Sequence, residues 1–206
     1  MRVVFVRHGE GHHNVNNLYS LPEFELTEKG KKQAKAAADR IVKLPIDIIV
    51  SSPYKRTLQT TEIINKQLGK EIILSDLAIE VVRPTEIAGK DMSHPEVKAI
   101  RKQLDDNFDN EDWHFSDEEN FYDLQNRAQK FIEYLETLDQ DNILVVSHGV
   151  FIKMVVMVIV LKQELSPQGF LNGYHTMSLE TSGLTLCDKT DKSWKLITWN
   201  DHSHLG

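Results

Sequence analysis

The chain has 206 residues, of which 40% are hydrophobic and 27% charged, as is ordinary for a globular protein with one hydrophobic core. Its 24 basic and 31 acidic residues give a formal net charge of −7, which disfavours a nucleic-acid-binding surface. Because Cys187 is the only cysteine, an internal disulfide framework is excluded, which fits a reducing compartment. We therefore expect a single domain over residues 1–206 with no nucleic-acid partner.

The apolar segments are too short for a signal peptide or a membrane span. The first, residues 3–6, leads directly into charged sequence. The longest, residues 150–161, contains Lys153 and has about half the length that a bilayer requires. We interpret this longest segment as a buried helix, and we expect a cytoplasmic protein with no membrane partner.

The first part of the chain alternates apolar strands with helices. RVVFVRHG (2–9) has β-branched and aromatic residues in succession, which predicts a strand buried on both faces, as in a parallel sheet. The next segment, 25–45, predicts a helix with Thr27 as its N-cap. The following elements are a strand over IDIIVSSP (46–53), a helix over Lys55–Leu68 and a short strand over KEIILSDL (70–77).

The segment 80–118 departs from this alternation. Its two prolines and its acidic run predict a partly helical, solvent-facing excursion, which we interpret as a lid-like insertion rather than a separate domain. The helical period returns from Phe121, and NILVVSHG (142–149) predicts another apolar strand.

The C-terminal part predicts antiparallel structure. A hairpin is expected over residues 176–188, turning at Ser182-Gly183, with an edge strand over 193–200. Together with the preceding alternation, this order predicts an α/β fold, a three-layer α/β/α sandwich with a mostly parallel central sheet. Sites in such sheets lie beyond the carboxyl ends of the strands.

Three of the predicted strands end in reactive side chains. Arg7 and His8 follow the first strand, Arg56 the second and His148 the strand over 142–149, so we expect them to meet at one edge of the sheet. Guanidiniums match phosphate oxygens, and imidazoles act as nucleophiles or proton carriers near neutral pH. Gly149 lets the backbone approach a ligand at the start of a helix. The pattern predicts a phosphoryl-binding pocket.

The opening stretch RHGEGHHN contains three histidines, which admits a metal site as well as a nucleophile. His12 and His13 are adjacent and match no common two-histidine helix motif. We interpret both as loop residues bordering the pocket, and we expect neither a metal ion nor a cofactor.

Four segments in order resemble the histidine phosphatase superfamily, also called phosphoglycerate mutase-like: RHG with the following Asn14, LTEKGKKQA, SSPYKRTLQT and VVSHG. The resemblance covers most of the chain and is weakest over residues 84–118. It implies a covalent phosphohistidine mechanism with His8 as the nucleophile. The residues that match the phosphate pocket of the family are Arg7, Asn14, Arg56 and His148.

The proton donor of this family is often a glutamate just after the third strand, and the resemblance therefore places Glu80 in that role. Here RPTEIAG follows where the family commonly has a glycine-rich segment, so Glu86 is a competing candidate. Glu119 stands where the family often has Gly-Glu-Ser, but the sequence reads Glu-Glu-Asn and no role is carried over.

The remaining polar residues have simpler interpretations. Ser51-Ser52 lacks the glycine elbow of a nucleophilic serine and is interpreted as a turn, and Ser147 is interpreted as support for a strand end. His175 either lines the pocket or packs against neighbouring structure. His202 and His204 are predicted to lie in a frayed C-terminal tail.

The sequence thus predicts a metal-independent phosphomonoesterase that hydrolyses a small phosphorylated metabolite, with Glu80 acting first as acid and then as base. Two alternatives remain open, a phosphotransferase of the mutase kind and a non-catalytic phospho-ligand-binding protein. The shortness of the excursion favours hydrolysis, because a mutase must exclude water while its substrate reorients. The physiological substrate and the oligomeric state do not follow from the sequence.

Overall fold

The computed structural model describes residues 1–206 and contains one six-stranded sheet with helices against both faces. The strands are β1 (Arg2–Arg7), β2 (Ile48–Ser51), β3 (Ile72–Leu74), β4 (Asn142–Ser147), β5 (Leu184–Lys189) and β6 (Trp194–Asp201). Their order across the sheet is β3-β2-β4-β1-β5-β6. The first three pairings in that order are parallel, and the last two are antiparallel. The predicted α/β fold with a mostly parallel sheet is confirmed.

Seven helices connect and cover the strands: α1 (His12–Val15), α2 (Glu28–Ile41), α3 (Lys55–Leu68), α4 (Pro95–Asp106), α5 (Phe121–Glu136), α6 (Gly149–Leu161) and α7 (Pro167–Thr176). Thr27 caps α2 as predicted, because its side chain accepts a hydrogen bond from the backbone N–H of Gly30. The bounds of α3 are those predicted. None of the helices combines the length and the apolar content needed to cross a membrane.

Each face of the sheet buries its own hydrophobic core, because successive residues of a strand point to opposite faces. On β1, Val4 and Val6 pack in a cluster with apolar residues of α2 and α3. Val3 and Phe5 belong to a larger cluster that includes α5 and α6. Burial on both faces explains why the strands are apolar at consecutive positions.

Three parallel strands end at the same edge of the sheet. Arg7 at the end of β1 pairs with Ser147 at the end of β4, and Ser51 at the end of β2 pairs with Val146. The backbone N–H of His8 donates to the carbonyl of Ser147 at 2.9 Å, which extends the pairing by one more residue. This register places the predicted site residues side by side.

The hairpin predicted over residues 176–188 is wrong in its position. Residues 177–183 form no strand, and the hairpin instead joins β5 to β6 through residues 190–193. Ser182 does form a turn, with a φ of 62°, but its backbone N–H bonds to the end of β1 rather than across a hairpin. The edge strand predicted over 193–200 is confirmed as β6.

The excursion over residues 80–118 contains one helix, α4, and a small core. Ile87 and Val97 are buried there together with Tyr19, which belongs to the loop after α1. The excursion therefore packs onto the segment that follows the RHG motif. Its interpretation as a lid within a single domain stays a prediction.

Candidate active site

The carboxyl edge of the sheet brings three of the predicted site residues into direct contact. The Nε of Arg56 donates to His8 Nε2 at 3.1 Å, and Arg56 Nη2 lies 2.9 Å from His148 Nδ1. The ring centroids of His8 and His148 are 5.2 Å apart. All three residues are buried, with exposed fractions of 2% for His8 and 0% for the other two. The convergence expected from the strand ends is therefore present in the structure.

His8 is held in one tautomer. Its Nδ1 lies 2.7 Å from the carbonyl oxygen of Gly9, so the ring N–H is on Nδ1 and Nε2 keeps a lone pair. Burial, reinforced by the charges of Arg56 and Arg7, lowers the pKa of His8 well below its usual value of 6.5. The imidazole is therefore neutral at physiological pH, and its bare nitrogen faces Arg56.

Arg56, in the first turn of α3, forms hydrogen bonds to uncharged groups from several segments of the chain. Besides the two imidazoles, its guanidinium donates to the carbonyl of Leu21 at 2.9 Å and to the hydroxyl of Ser20 at 3.3 Å. Burial lowers the pKa of Arg56 to about 10, so the group still carries its charge. A buried guanidinium whose hydrogen-bond partners are all neutral is a favourable place for an anion.

The ring of His148 is also fixed by two hydrogen bonds. Because Nδ1 accepts from Arg56, the ring proton lies on Nε2, which is 2.8 Å from the hydroxyl of Ser52. Burial and the charge of Arg56 lower the pKa of His148 well below 6.5. Ser52, interpreted from the sequence only as part of a turn, is thus a buried support of the site. Ser147 supports the strand end as predicted, since its hydroxyl donates to the carbonyl of Ala78 at 2.7 Å.

Arg7 lies against the N-terminus of α6. Its Nη1 donates to the carbonyl of Leu179 at 2.5 Å, and its Nε is buried without a hydrogen-bond partner. A Cβ placed on Gly149 would lie 3.2 Å from this Nε, so glycine provides the space in which the guanidinium lies. Burial lowers the pKa of Arg7.

Of the competing glutamates, Glu80 is the one at the N-terminus of α6. Its Oε1 accepts a hydrogen bond from the backbone N–H of Phe151 at 3.1 Å, and its Oε2 accepts from that of Val150 at 3.3 Å. Glu86 is exposed, and its carboxylate accepts from the hydroxyl of Ser116 at 2.8 Å within the excursion. The structure therefore brings Glu80, and not Glu86, to the helix end that Arg7 contacts.

Glu119 supports the loop that carries Glu80. Its carboxylate forms a two-pronged ion pair with Arg127, with both N–O distances 2.6 Å, and both side chains are largely buried. Arg127 also donates to the carbonyls of Leu77 and Ile79 at 2.9 Å. The ion pair therefore ties the residues just before Glu80 to α5.

Asn14 does not join the contact network of His8, Arg56 and His148. It is exposed, and its side-chain oxygen accepts a hydrogen bond from the backbone N–H of Gly11 at 2.9 Å, across the first turn of α1. In the structure the side chain of Asn14 thus caps the N-terminus of α1. Its contribution to a phosphate pocket stays a prediction.

Two further aromatic side chains lie against the site: His13, which was predicted to border the pocket, and Tyr54, for which no role was predicted. The ring of His13 is buried, with its centroid 5.6 Å from that of His8. The ring of Tyr54 is 5.2 Å from that of His148 and 5.1 Å from the central carbon of the Arg56 guanidinium. Both residues lie inside the motifs that carry the family resemblance, and this position is the sequence signal that could have assigned Tyr54 to the site.

The other histidines lie apart from this cluster. His12 and His175 are exposed, and His175 belongs to α7 rather than to the approach of a strand. The predicted fraying of the tail is wrong, because His204 is half-buried with its Nε2 3.0 Å from the carbonyl of Ser182, although His202 is exposed. No group of three His, Cys, Asp or Glu side chains is arranged to hold a metal ion.

Comparison with curated proteins finds relatives named for phosphoryl chemistry. The chain is 32% identical over 156 residues to a probable phosphoglycerate mutase GpmB of Proteus mirabilis, covering 73% of this chain and 70% of that protein. It is 38% identical over 82 residues to phosphoserine phosphatase 1 of Hydrogenobacter thermophilus, a match that covers only 39% of each protein.

Solved structures share the fold over the full chain. YhfR of Bacillus stearothermophilus superimposes with a TM-score of 0.84 at 21% identity and covers 100% of this chain and 99% of that one. A phosphoserine phosphatase from Entamoeba histolytica in complex with 3-phosphoglyceric acid gives a TM-score of 0.80 at 24% identity with the same coverage.

One family model matches nearly the full length. It is described as the histidine phosphatase superfamily (branch 1), and it aligns with residues 3–202. The match spans the RHG motif, the start of α3 and the VVSHG motif, whose side chains the fold brings together. The chain therefore belongs to the histidine phosphatase superfamily.

Proposed function

We propose that this protein is a metal-independent phosphomonoesterase that hydrolyses a small phosphorylated metabolite through a phosphohistidine on His8. The state of His8 carries the proposal: it is a buried, neutral imidazole whose N–H is engaged by Gly9 and whose bare Nε2 faces Arg56. Membership of the superfamily and the phosphatases among the relatives support it.

In the first half-reaction, His8 Nε2 attacks the phosphorus of a monoester while the bond from phosphorus to the ester oxygen breaks. Phosphoryl oxygens accept hydrogen bonds from the N–H groups of Arg56 in place of His8. The lone pair on His8 Nε2 is then free for in-line attack. Arg7 and Arg56 offset the charge on the equatorial oxygens. The ester oxygen departs with a proton from Glu80, whose Oε2 is held only by a 3.3 Å contact with Val150.

In the second half-reaction, water attacks the phosphorus of the phosphohistidine and the phosphorus–nitrogen bond breaks. Glu80, now a carboxylate, takes the proton of this water, so the proton given up in the first half-reaction is recovered. His8 returns to its neutral state, and the products are an alcohol and inorganic phosphate. No step of this scheme uses a metal ion.

The substrate class rests on the site and on the relatives. A pocket with two guanidiniums binds one phosphoryl group, and the related phosphatases are named for phosphoserine or hold 3-phosphoglyceric acid. A mutase is the second candidate, because the relative at 32% identity is named a probable phosphoglycerate mutase. The two activities share the phosphohistidine and differ in whether the phosphoryl group is retained.

A screen of phosphorylated metabolites for released inorganic phosphate tests the proposal. We expect turnover that persists in EDTA; activity that disappears in EDTA and returns with a divalent cation would overturn the metal-independent scheme. Incubation with 3-phosphoglycerate separates the two candidates, since a phosphatase releases phosphate and a mutase forms the isomer. Binding of phosphorylated ligands without turnover would instead establish a non-catalytic binding protein.

A further inference from the structure

His13 presents a third imidazole to the candidate active site. Only 8% of the residue is exposed, and its ring centroid lies 5.6 Å from that of His8. The ring also stacks on Phe24, with a centroid distance of 6.0 Å and an interplanar angle of 8°. His12, its neighbour in α1, points to solvent. The short helix therefore directs one of the two adjacent histidines inward.

The surroundings of the ring decide which nitrogen carries the proton. Nδ1 of His13 is buried with no hydrogen-bond partner, and a Cβ on Gly11 would lie only 2.7 Å from it. A proton on Nδ1 would bury an N–H donor against the backbone without an acceptor, which proteins rarely tolerate. The proton therefore lies on Nε2, the other ring nitrogen.

The three imidazoles differ in whether their ring N–H is free to bind a ligand. The N–H of His8 donates to the carbonyl of Gly9, and the N–H of His148 donates to the hydroxyl of Ser52. His13 makes no side-chain hydrogen bond, so it alone has an N–H that is not already engaged. Burial, with added repulsion from Arg56 and Arg7, lowers the pKa of His13 to about 3, so the ring stays neutral beside the guanidiniums.

We propose that His13 is a substrate-binding residue whose Nε2–H donates a hydrogen bond to a phosphoryl oxygen held next to His8. This inference rests on the proposed function, because it assigns one more donor to the same phosphoryl group. A neutral donor adds a directed hydrogen bond without adding a further positive charge to a pocket that already buries two guanidiniums.

Two substitutions separate the hydrogen bond from the packing. His13→Phe keeps a ring that can stack on Phe24 but removes the N–H, whereas His13→Gln carries an amide N–H close to the position of the imidazole Nε2. We expect His13→Phe to lower kcat/KM for p-nitrophenyl phosphate by roughly 10²-fold, the scale for one lost donor to a reacting oxygen. His13→Gln should recover most of that loss. His12→Phe is the matched control and should leave turnover unchanged.

Calorimetry with inorganic phosphate measures the affinity of the pocket for the phosphoryl group separately from turnover. We expect His13→Phe to weaken phosphate binding at least several-fold while His13→Gln and His12→Phe bind as the wild type does, with thermal unfolding checked for each variant. Equal phosphate affinity in His13→Phe and wild type would overturn the inference. A wild type that binds phosphate but releases none from any ester overturns the phosphatase proposal alone. A wild type that binds no phosphate overturns both.

Discussion

The two halves of the candidate site are built in different ways. The half that would hold the phosphoryl group consists of strand-end and helix-start side chains, His8, Arg56 and His148, which are buried and bonded to one another. The half that would face the leaving group consists of loops, in which Glu80 is held by the end of α6 and by the Arg127–Glu119 ion pair.

The difference follows what each half has to recognise. A phosphoryl group is the same in every monoester, so its donors can be placed on the rigid edge of a sheet. The leaving group differs between substrates, and loops such as residues 80–118 vary more easily than a sheet does. We therefore expect substitutions in the first half to affect all substrates alike, and those in the second half to depend on the leaving group.

The largest effect is expected for His8→Ala. Because this change removes the nucleophile, turnover of every phosphomonoester should fall by roughly 10⁴–10⁶-fold, toward the uncatalysed rate. Phosphate release from p-nitrophenyl phosphate and from an alkyl phosphate measures it. If either substrate kept most of its turnover, His8 would not be the nucleophile.

Glu80→Gln sharpens the contrast between the halves. We expect a fall of roughly 10²–10⁴-fold in kcat for an alkyl phosphate, because an alkoxide needs a proton to leave. The fall should be much smaller for p-nitrophenyl phosphate, whose phenolate leaves without one. Glu86→Gln is the matched control, since that carboxylate is exposed and bonded to Ser116. Equal losses for both substrates, or a larger loss in Glu86→Gln, would assign the proton to another group.

The buried imidazoles predict a dependence of stability on pH. Burial lowers the pKa values of His8 and His148 well below 6.5 and that of His13 to about 3, so these residues stay neutral in the folded protein and become protonated near pH 6.5 when unfolded. Burial also lowers the pKa of His204. The unfolded state then binds more protons, and the free energy of unfolding should fall as pH drops below about 6.5.

Each such histidine contributes at most about 1.4 kcal/mol per pH unit to this slope. Urea unfolding between pH 7 and 5 measures it. His13→Phe should reduce the slope by one histidine, because the pKa of His13 is lowered to about 3, whereas His12→Phe should leave the slope as it is. If His13→Phe left the pH dependence of the free energy of unfolding unchanged, His13 would have the same pKa in the folded and unfolded states.

The smallest effect is expected for Asn14. Asn14→Ala removes the acceptor for the backbone N–H of Gly11 and should lower the free energy of unfolding by about 1 kcal/mol. Asn14→Asp keeps that acceptor but loses the amide N–H groups. If Asn14 only closes α1, Asn14→Asp should retain nearly full turnover. A large loss in that variant would place the Asn14 amide in the phosphate pocket, as the family resemblance implies.

The phosphoryl half was largely predictable from the sequence. His8 and His148 follow apolar runs that are buried on both faces, as does Arg7 next to His8, and Arg56 opens the helix after another such run. Because parallel strands share a carboxyl edge, their convergence followed from the alternation of strands and helices. The leaving-group half was less predictable, since the choice between Glu80 and Glu86 depends on how the loop lies against the end of α6.

The C-terminal region shows where local pattern misleads. Residues 167–176 form a helix that was not predicted, and the C-terminal tail, which was predicted to be frayed, is held by a hydrogen bond between His204 and the carbonyl of Ser182. The turn at Ser182 is real, but it bonds to the end of β1, which lies far away in the sequence. Patterns of neighbouring residues carry no information about such distant partners.

The sequence by itself determined the fold class, the superfamily and the side chains that stand at the strand ends. Hydrophobic periodicity and motif order depend on residues that are close in the chain, so they can be read without a structure. Only the tertiary structure decided the tautomers of His8 and His148, the inward direction of His13 and the place of Glu80. The bonds of Arg56 to His8, of His148 to Ser52 and of α6 to Glu80 join segments that meet only after the sheet has formed. The inward direction of His13 depends on the packing of its ring near His8 and Phe24.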